Sequence, residues 1–451
     1  MRIHIIAIGG AAMHNIAIAL KENGHKVSGS DDEIFEPSKS RLDKHGLLPA
    51  AIGWDEKRID DTIDAVILGM HARIDNPELR RAQELDLLIY SYPSFIREQS
   101  EHKQRVVIGG SHGKTTITAM ILHVLKKQNL DFDYLVGAQI EGFDTMVRLS
   151  EAPLIVLEGD EYLSSPIDRS PKFHHYDPHI ALISGIAWDH INVFPTFENY
   201  LEQFETFIDQ MNDECVLIYC QADDQLDETV HEFGQHLDLR PYETPKYKII
   251  NGLSYIDRGS EQTKVHVFGD HNLQNLQGAK MVCEALGIEE DDFYAAIIDF
   301  KGAARRLEEI ARNHQTVVYK DFAHSPSKLS ATVKAVKKQW PERRLVACME
   351  LHTFSSLTKD FLIEYKGSMD MADEAIVFYR NETLAHKRLE PLSAEEVKKS
   401  FERKDIHVIT SSAELHHFLK QQQWSGSNLL MMSSGNFGGI DVDQLGQQIV
   451  N

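Results

Sequence analysis

The sequence predicts an α/β protein built as three consecutive domains with mostly parallel sheets. Apolar runs of strand length alternate with amphipathic helical stretches along nearly the whole chain. Its 451 residues correspond to about three domains at roughly 150 residues each. Strands separated by helices imply parallel pairing, with helices covering both faces of each sheet.

The first block, residues 1–103, opens with the buried-strand pattern "RIHIIAI" and a helix near Ala12–Asn23. Further strands are expected at "HKVSGSD", "DAVILGM" and "LDLLIYS". The opening apolar run is short and ends at glycines, so it reads as a strand and not as a signal peptide. The second block, 104–300, carries "RVVIGG", "YLVGA", "PLIVLEGD", "HIALISGI" and "ECVLIYC", then a more irregular stretch with "YKIIN" and a strand pair near "SYIDRG" and "KVHVFG". Helices near Leu273–Leu286 and Asp291–Ile298 close it. The third block, 301–451, has strands at "TVVYKDFA", "RLVACME", "EAIVFY", "DIHVITS" and "NLLMMSS".

Composition removes some function classes. A formal net charge of −22 leaves no excess of Lys and Arg to displace counterions, so nucleic acid is not an expected partner. No apolar run reaches the ~20 residues that span a bilayer, and membrane insertion is not expected. Cys215, Cys220, Cys283 and Cys348 show neither metal-type spacing nor a disulfide framework, which fits reduced thiols and a cytoplasmic protein.

In open α/β sheets, ligands gather at the carboxyl ends of the strands. The loop after "RVVI" reads "GGSHGKTT", followed by a helical pattern. Gly109, Gly110 and Gly113 let the backbone turn tightly and aim N–H groups inward, and the helix start adds its positive end. Lys114 would reach the β- and γ-phosphates, and the Thr115 hydroxyl would bind Mg²⁺. Ile108 stands where a strict Walker loop has glycine, so this is a shortened form. The bland alternative is a glycine turn with a chance lysine. The strand, loop and helix order favours nucleotide binding.

Three carboxylates, Glu158, Asp160 and Glu161, follow the strand "LIVL". They would repel one another unless a cation offsets them, and Mg²⁺ shared with ATP phosphates is the natural partner of Glu158. A solvated acidic turn is the alternative. Asp189 and His190 follow the next strand, where His190 is a candidate for a second Mg²⁺ or the γ-phosphate. His174–His175 and His416–His417 lack such context and read as surface pairs. Asn272 and Asn275 sit at a helix start; a cap is the usual role, and adenine recognition by the Asn272 amide is the functional one. Arg305 and Arg306 open the third block, where one arginine would clamp a transferring phosphoryl group. Asp321 and His324 lie at the carboxyl end of the strand "VVYKD".

Together these segments resemble the Mur ligases, the ATP-dependent amide-forming enzymes of peptidoglycan assembly. The resemblance covers essentially the whole chain and rests on "GGSHGKTT", "EGDEY", "WDHINVFPTFENY", "GDHNLQN", "GAARRLE" and "YKDFAHSP", in the family order. It implies Rossmann-like first and third domains around a phosphate-loop central domain. Residues 1–103 would bind the UDP-sugar, 104–300 ATP, and 301–451 would bring the amine. Under this resemblance Gly110, Ser111, His112, Gly113 and Thr116 join Lys114 and Thr115 around ATP, with Asn272 and Arg306. Gly9, Gly10, Ala11 and Ala12 would cradle the UDP diphosphate, with Asp31, Asp160 and Glu161 as further contacts to the sugar nucleotide. Thr115, Glu158 and His190 would hold Mg²⁺; Lys114, Glu158, His190, Arg306, Asp321 and His324 form the expected catalytic set.

The implied reaction phosphorylates the carboxylate of UDP-N-acetylmuramate, and an amine then displaces phosphate. Two segments, "EGDEYLSSPIDRSPKF" and "MMSSGNFGGI", are similar to the branch that adds a murein tripeptide (L-Ala-γ-D-Glu-meso-diaminopimelate) in cell-wall recycling. Addition of L-alanine is the alternative. A nucleotide-binding regulatory protein and a plain phosphotransferase remain as other classes. The chain departs from the family pattern in two places. Gly185 and Ala187 replace the usual Asn-x-Glu before the Asp-His pair, and "ELHTFSS" stands where relatives carry an arginine.

Overall fold

The structure, a computed structural model, describes residues 1–451 apart from Asn192, Ser260, Ala303, Ala304 and Arg305. Arg305, singled out above, therefore lies outside the described residues. Two compact units make up the chain. One holds Met1–Ile186, Thr196–Glu243 and Gly278–Ala296; the other holds Ala187–Pro195, Thr244–Gln277 and Ile297–Asn451. The expected plan of three α/β domains with mostly parallel sheets is present.

The first sheet consists of β1 (Arg2–Ile6), β2 (Lys26–Ser30), β3 (Ala65–Leu68) and β4 (Leu88–Ser91), in the order β2-β1-β3-β4 and parallel throughout. Ile3, Ile5 and Ile6 of β1 are wholly buried, each such side chain being worth roughly 1.5–3 kcal/mol of transfer free energy. The helix Ala11–Glu22 starts directly after the β1 loop, as its apolar spacing predicts.

One polar cluster sits inside this apolar block. Glu78 is fully buried and accepts from Ser30 Oγ, from the Asp55 N–H at 2.9 Å and from Arg58 at 3.3 Å; His4 Nε2 lies 3.3 Å away. Burial by itself would raise the Glu78 carboxyl, but the hydrogen bonds from His4, Asp55 and Ser30 hold it below its ordinary value. A carboxyl lowered on folding contributes stability that is complete above its unfolded value and is lost as pH falls through its folded one. Glu78→Gln is therefore expected to lower the unfolding midpoint at neutral pH, by about 1–3 kcal/mol for the groups left unsatisfied. The gap to the parent should narrow between about pH 5 and pH 3. Thermal unfolding at both pH values checks this, and a gap that does not change with pH would contradict it.

The second sheet is built from β5 (Gln104–Gly109), β6 (Asp133–Leu135), β7 (Val147–Arg148), β8 (Leu154–Glu158), β9 (Ile180–Ile183), β10 (Val216–Cys220) and β11 (Asp238–Tyr242). Their order is β11-β10-β9-β5-β8-β6-β7, parallel except for the short β7. β5 is thus flanked by β8 and β9. This puts the glycine loop, the Glu158 strand end and Ser184 side by side at one edge.

The other unit contains an antiparallel sheet of β12 (Tyr247–Ile250), β13 (Leu253–Asp257) and β14 (Gln262–Val265). It also contains the last sheet: β15 (Glu308–Arg312), β16 (Val317–Asp321), β17 (Arg344–Glu350), β18 (Glu374–Phe378), β19 (His407–Ile409) and β20 (Ser427–Met432). The order is β15-β16-β20-β17-β18-β19, with β15 the antiparallel edge. β15 reads "EEIAR" and β11 reads "DLRPY", and neither has a strand signature. Both lie at sheet edges, where Pro and charge are tolerated, and pairing with an established neighbour makes them strands.

His174 and His175 differ from the surface reading. They lie in the 3₁₀ turn Lys172–His175 and are half-buried, because Phe173 packs on Phe204 and Phe207 of the helix Phe197–Asp209. His174 Nε2 meets the Gln203 carbonyl at 2.8 Å, and His175 faces Asp168. The four cysteines are buried and unbridged. Among the described residues no helix is long and apolar enough to cross a membrane.

Candidate active site

The phosphate loop leaves β5 at Gly109 and enters the helix Lys114–Lys127. Gly110 has φ +117, and a Cβ there would sit 2.2 Å from Ser184 Oγ, so the turn requires glycine. The Ser111 N–H donates to the Gly185 carbonyl at 3.0 Å, and Ser184 Oγ donates to the His112 carbonyl. The β9 end thus holds the loop open at a helix N-terminus, the arrangement that suits a phosphate group. Thr115 and Thr116 are buried in the first turn of that helix.

Lys114 curls back over the loop. Its Nζ donates to the Gly110 carbonyl at 2.6 Å and to Glu161 Oε2 at 2.5 Å. Burial would lower this ammonium's pKa, but Glu161, Asp160 and Glu158 outweigh it and raise the value. Lys114 is therefore a fixed cation inside an acidic ring. Thr115 Oγ1 donates to Glu158 Oε1 at 2.7 Å, while Glu158 Oε2 accepts from the Gly137 N–H at 2.7 Å. A hydroxyl and a carboxylate oxygen in contact at a phosphate loop are a hard-oxygen pair, which fits Mg²⁺.

The carboxylates after β8 separate by role. Glu161, expected at the sugar nucleotide, is buried and pairs with Lys114, and Tyr200 OH donates to its other oxygen at 3.1 Å. Ser111 Oγ in turn meets Tyr200 OH at 2.7 Å. Tyr200 was not singled out from the sequence. Its signal was the end of "WDHINVFPTFENY", but only the folded chain brings it to the loop. Asp160 pairs with Lys172, and Lys172 and Lys114 together hold its carboxyl below the ordinary range against the opposing effect of burial.

At the β1 loop, Asp31 Oδ2 accepts the Gly9 N–H at 2.7 Å. Burial pushes the Asp31 carboxyl up. Gly10 caps the helix Ala11–Glu22 without a side chain of its own, and Ala11 and Ala12 form its first turn. A backbone donor of the loop just before this helix thus already serves a carboxylate, the same chemistry that a diphosphate oxygen would use.

His190, Asn272, Arg306, Asp321 and His324 belong to the other unit. His190 adopts φ +56, and its carbonyl accepts from the Val193 and Phe194 N–H groups at 2.8 and 2.9 Å. Asp189 beside it pairs with Lys328 at 3.2 Å. Asn272 is buried and its amide donates to the Phe268 carbonyl at 3.2 Å; Asn275 is buried as well. Asp321, a member of the expected catalytic set, is occupied by backbone. It accepts the Leu307 and Ala323 N–H groups, each at 2.6 Å. It thereby holds the turn that presents Arg306, whose guanidinium lies 4.7 Å from the centre of the Phe322 ring. His324 Nδ1 donates to the Phe322 carbonyl at 2.8 Å. Burial, aided by Lys328, pushes its pKa down to about 4, so it is neutral at ordinary pH.

Family models match the chain in three consecutive stretches: the Mur ligase family catalytic domain over residues 2–104, the Mur ligase middle domain over 108–283, and the Mur ligase glutamate ligase domain over 305–435. The chain is 31% identical to a UDP-N-acetylmuramate–L-alanine ligase of Caldicellulosiruptor saccharolyticus, over 83% of this chain and 82% of that one. It is 26% identical to the UDP-N-acetylmuramate–L-alanyl-γ-D-glutamyl-meso-2,6-diaminoheptandioate ligase of Haemophilus influenzae, over 97% of both chains. Among solved structures, the UDP-N-acetylmuramate–alanine ligase of Thermotoga maritima shares the fold, with a TM-score of 0.72 at 20% identity over 100% of this chain and 98% of that one. The phosphate loop with its buried lysine, the threonine–carboxylate pair and the three matched domains lead to one conclusion: the chain belongs to the Mur ligase family of ATP-dependent, amide-bond-forming ligases.

Proposed function

We propose that this protein joins the carboxylate of UDP-N-acetylmuramate to the amine of L-alanine, with ATP hydrolysed to ADP and phosphate, in the cytoplasm. The observation that carries the ATP half is the Lys114–Glu161 and Thr115–Glu158 geometry at the phosphate loop. The acceptor and amine come from the relatives. L-alanine ligases recur among them at 25–31% identity, which moves the balance away from the tripeptide expected above. The tripeptide stays as a second reading, supported by the "EGDEYLSSPIDRSPKF" run and by the relative from Haemophilus influenzae.

In this mechanism two anions must meet, so cations must converge. Lys114 neutralises the γ-phosphate as the sugar carboxylate attacks it. Thr115 and Glu158 would hold Mg²⁺, which offsets phosphate charge when bound, and His190 is the candidate ligand of a second Mg²⁺. Arg306 is the cation supplied by the third domain. Its turn is held by Asp321, so Asp321 acts as a positioning residue. The neutral His324 packs beside that turn and orients contacts to the amine. Residues 1–103 bind the UDP-sugar through Gly9 to Ala12 and Asp31. Residues 104–300 bind ATP, with Asn272 as the adenine contact, and 301–451 bind the amine.

The test is an amine panel with ATP and UDP-N-acetylmuramate: L-alanine, L-Ala-D-Glu and the tripeptide, read by mass spectrometry of the product. A higher kcat/KM for L-alanine is the expected result. Preference for the tripeptide selects the second reading. A phosphorylated sugar nucleotide with no amide under any amine would reject both.

A further inference from the structure

Two stretches that stand apart in the sequence, "ELHTFSS" and "MMSSGNFGGI", become neighbours in the last sheet. β17 ends at Glu350 and β20 at Met432, and the two strands pair in parallel register, with Met349 opposite Met432. Their carboxyl-end loops therefore lie side by side, where ligands of open α/β sheets gather.

Glu350 is only 2% exposed. Its Oε2 accepts from Ser433 Oγ and from the Phe437 N–H at 2.8 Å. Its Oε1 faces His352 Nδ1 at 3.7 Å. Ser433 Oγ also accepts the Gly435 N–H at 2.7 Å. Gly435 lies flat on the pair. A Cβ there would come within 2.8 Å of His352 Cγ and Nδ1 and 2.9 Å of Glu350 Oε2. The Ser433 hydroxyl, the Phe437 N–H and Gly435 thus hold a buried carboxylate beside one edge of an imidazole. The His352 side chain is 38% exposed, and its Nε2 edge is turned away from the carboxylate. Among the described residues the charged group that faces the ring is Glu350; the segment after β20 brings a hydroxyl, a glycine and a backbone N–H. Burial would raise the Glu350 carboxyl, but the neighbouring His352 imidazole and the hydrogen bonds from Ser433 and the Phe437 backbone hold it below its ordinary value, so it stays ionised.

This is a carboxylate that orients an imidazole and leaves one ring nitrogen to accept a proton. Amide formation needs such a group, because an α-amino group with a pKa near ~8 is largely an ammonium at neutral pH and cannot attack. We propose that His352, oriented by Glu350, removes the proton from the incoming amine in the amide-forming half of the reaction. The proposal rests on the ligase reading above. The amine nitrogen bonds to the acyl carbon, the carbon–oxygen bond to the phosphoryl group breaks, and phosphate leaves with that electron pair. Two protons leave the ammonium nitrogen in all. One passes to His352 Nε2 and then to solvent; the other departs with hydrogen phosphate. His352 is the catalytic residue and Glu350 the positioning residue.

Hydroxylamine provides the test, because it is a weaker base than an amino acid and already neutral at neutral pH. His352→Gln and Glu350→Gln are assayed with ATP and UDP-N-acetylmuramate, once with the preferred amine of the panel and once with hydroxylamine. For His352→Gln, amide formation is expected to fall roughly 100-fold at neutral pH, on the scale of a lost general base. It should recover as pH rises toward the amine's own pKa, while hydroxamate formation stays within about threefold of the parent. Glu350→Gln should show a smaller loss with the same recovery. A parallel fall of hydroxamate and amide, or a loss that does not change with pH, would overturn the assignment while leaving the ligase reading intact. Amide formation within threefold of the parent would overturn it too. A parent protein that makes neither product rejects the ligase reading, and this assignment with it. The ring lies at the surface, so His352→Ala serves as a second variant should His352→Gln fold poorly.

Discussion

Replacing Lys114 with alanine is expected to cost roughly 3 kcal/mol or more of transition-state stabilisation, a rate loss on the order of 10²-fold, on the scale of other preorganised donors. The lysine meets Gly110 and Glu161 from inside the phosphate loop, so its ammonium is held at the loop by the protein itself. Charge develops on the transferred phosphoryl group during attack, and a preplaced cation in a partly dry loop acts on that charge more strongly than on the ground state. The loss should therefore appear mainly in kcat. Alanine also leaves Glu161 buried beside Asp160 and Glu158 without its cation, so the loop should tolerate bound triphosphate less well. Lys114→Arg keeps the charge but not the compact shape, and it should recover only part of the rate. Steady-state kinetics of phosphate release checks both variants. Unchanged kcat in Lys114→Ala would contradict the role given to this residue.

Installing asparagine at position 185, the residue that the family pattern usually has there, is expected to destabilise this protein by roughly 2–4 kcal/mol. Gly185 has φ +147, a conformation that side-chain-bearing residues rarely adopt. A Cβ would also approach Asp223 Oδ2 to 2.7 Å and the His112 ring to 2.9 Å. Asp223 cannot easily retreat. Its Oδ2 accepts the Ile186 N–H at 3.0 Å, and its Oδ1 caps the helix Asp224–Phe233 by accepting from Leu226 at 3.0 Å. The space that a side chain would fill is already taken by a carboxylate from another part of the sheet. Urea unfolding of Gly185→Asn and Gly185→Ala should give lower midpoints for both. A midpoint equal to the parent's would show that the loop can rebuild around a side chain. The departure from the family pattern thus does not by itself signal lost turnover.

That residue shows where sequence reading stops. From the chain alone, Gly185 was a missing asparagine. In the fold it is the position that admits Asp223, a residue thirty-eight places further on. Glu161 and Tyr200 follow the same rule. The first read as one of three repelling acids, and the second not at all, yet together they anchor Lys114 and Ser111. Asp321 does end β16, but its backbone partners are invisible without the turn at Leu307.

The sequence by itself determined the alternation of strands and helices, the glycine loop between β5 and its helix, and the acids at the end of β8. Each of these is a local matter of periodicity, glycine spacing and helix polarity, so neighbouring residues suffice to specify it. Tertiary structure alone decided which charges meet, which glycines are compulsory, and that Glu350 lies against His352 under a loop from β20. Those outcomes depend on strand order in the sheets, which brings together residues far apart in the chain, and on burial, which makes an unpaired charge too costly to leave alone.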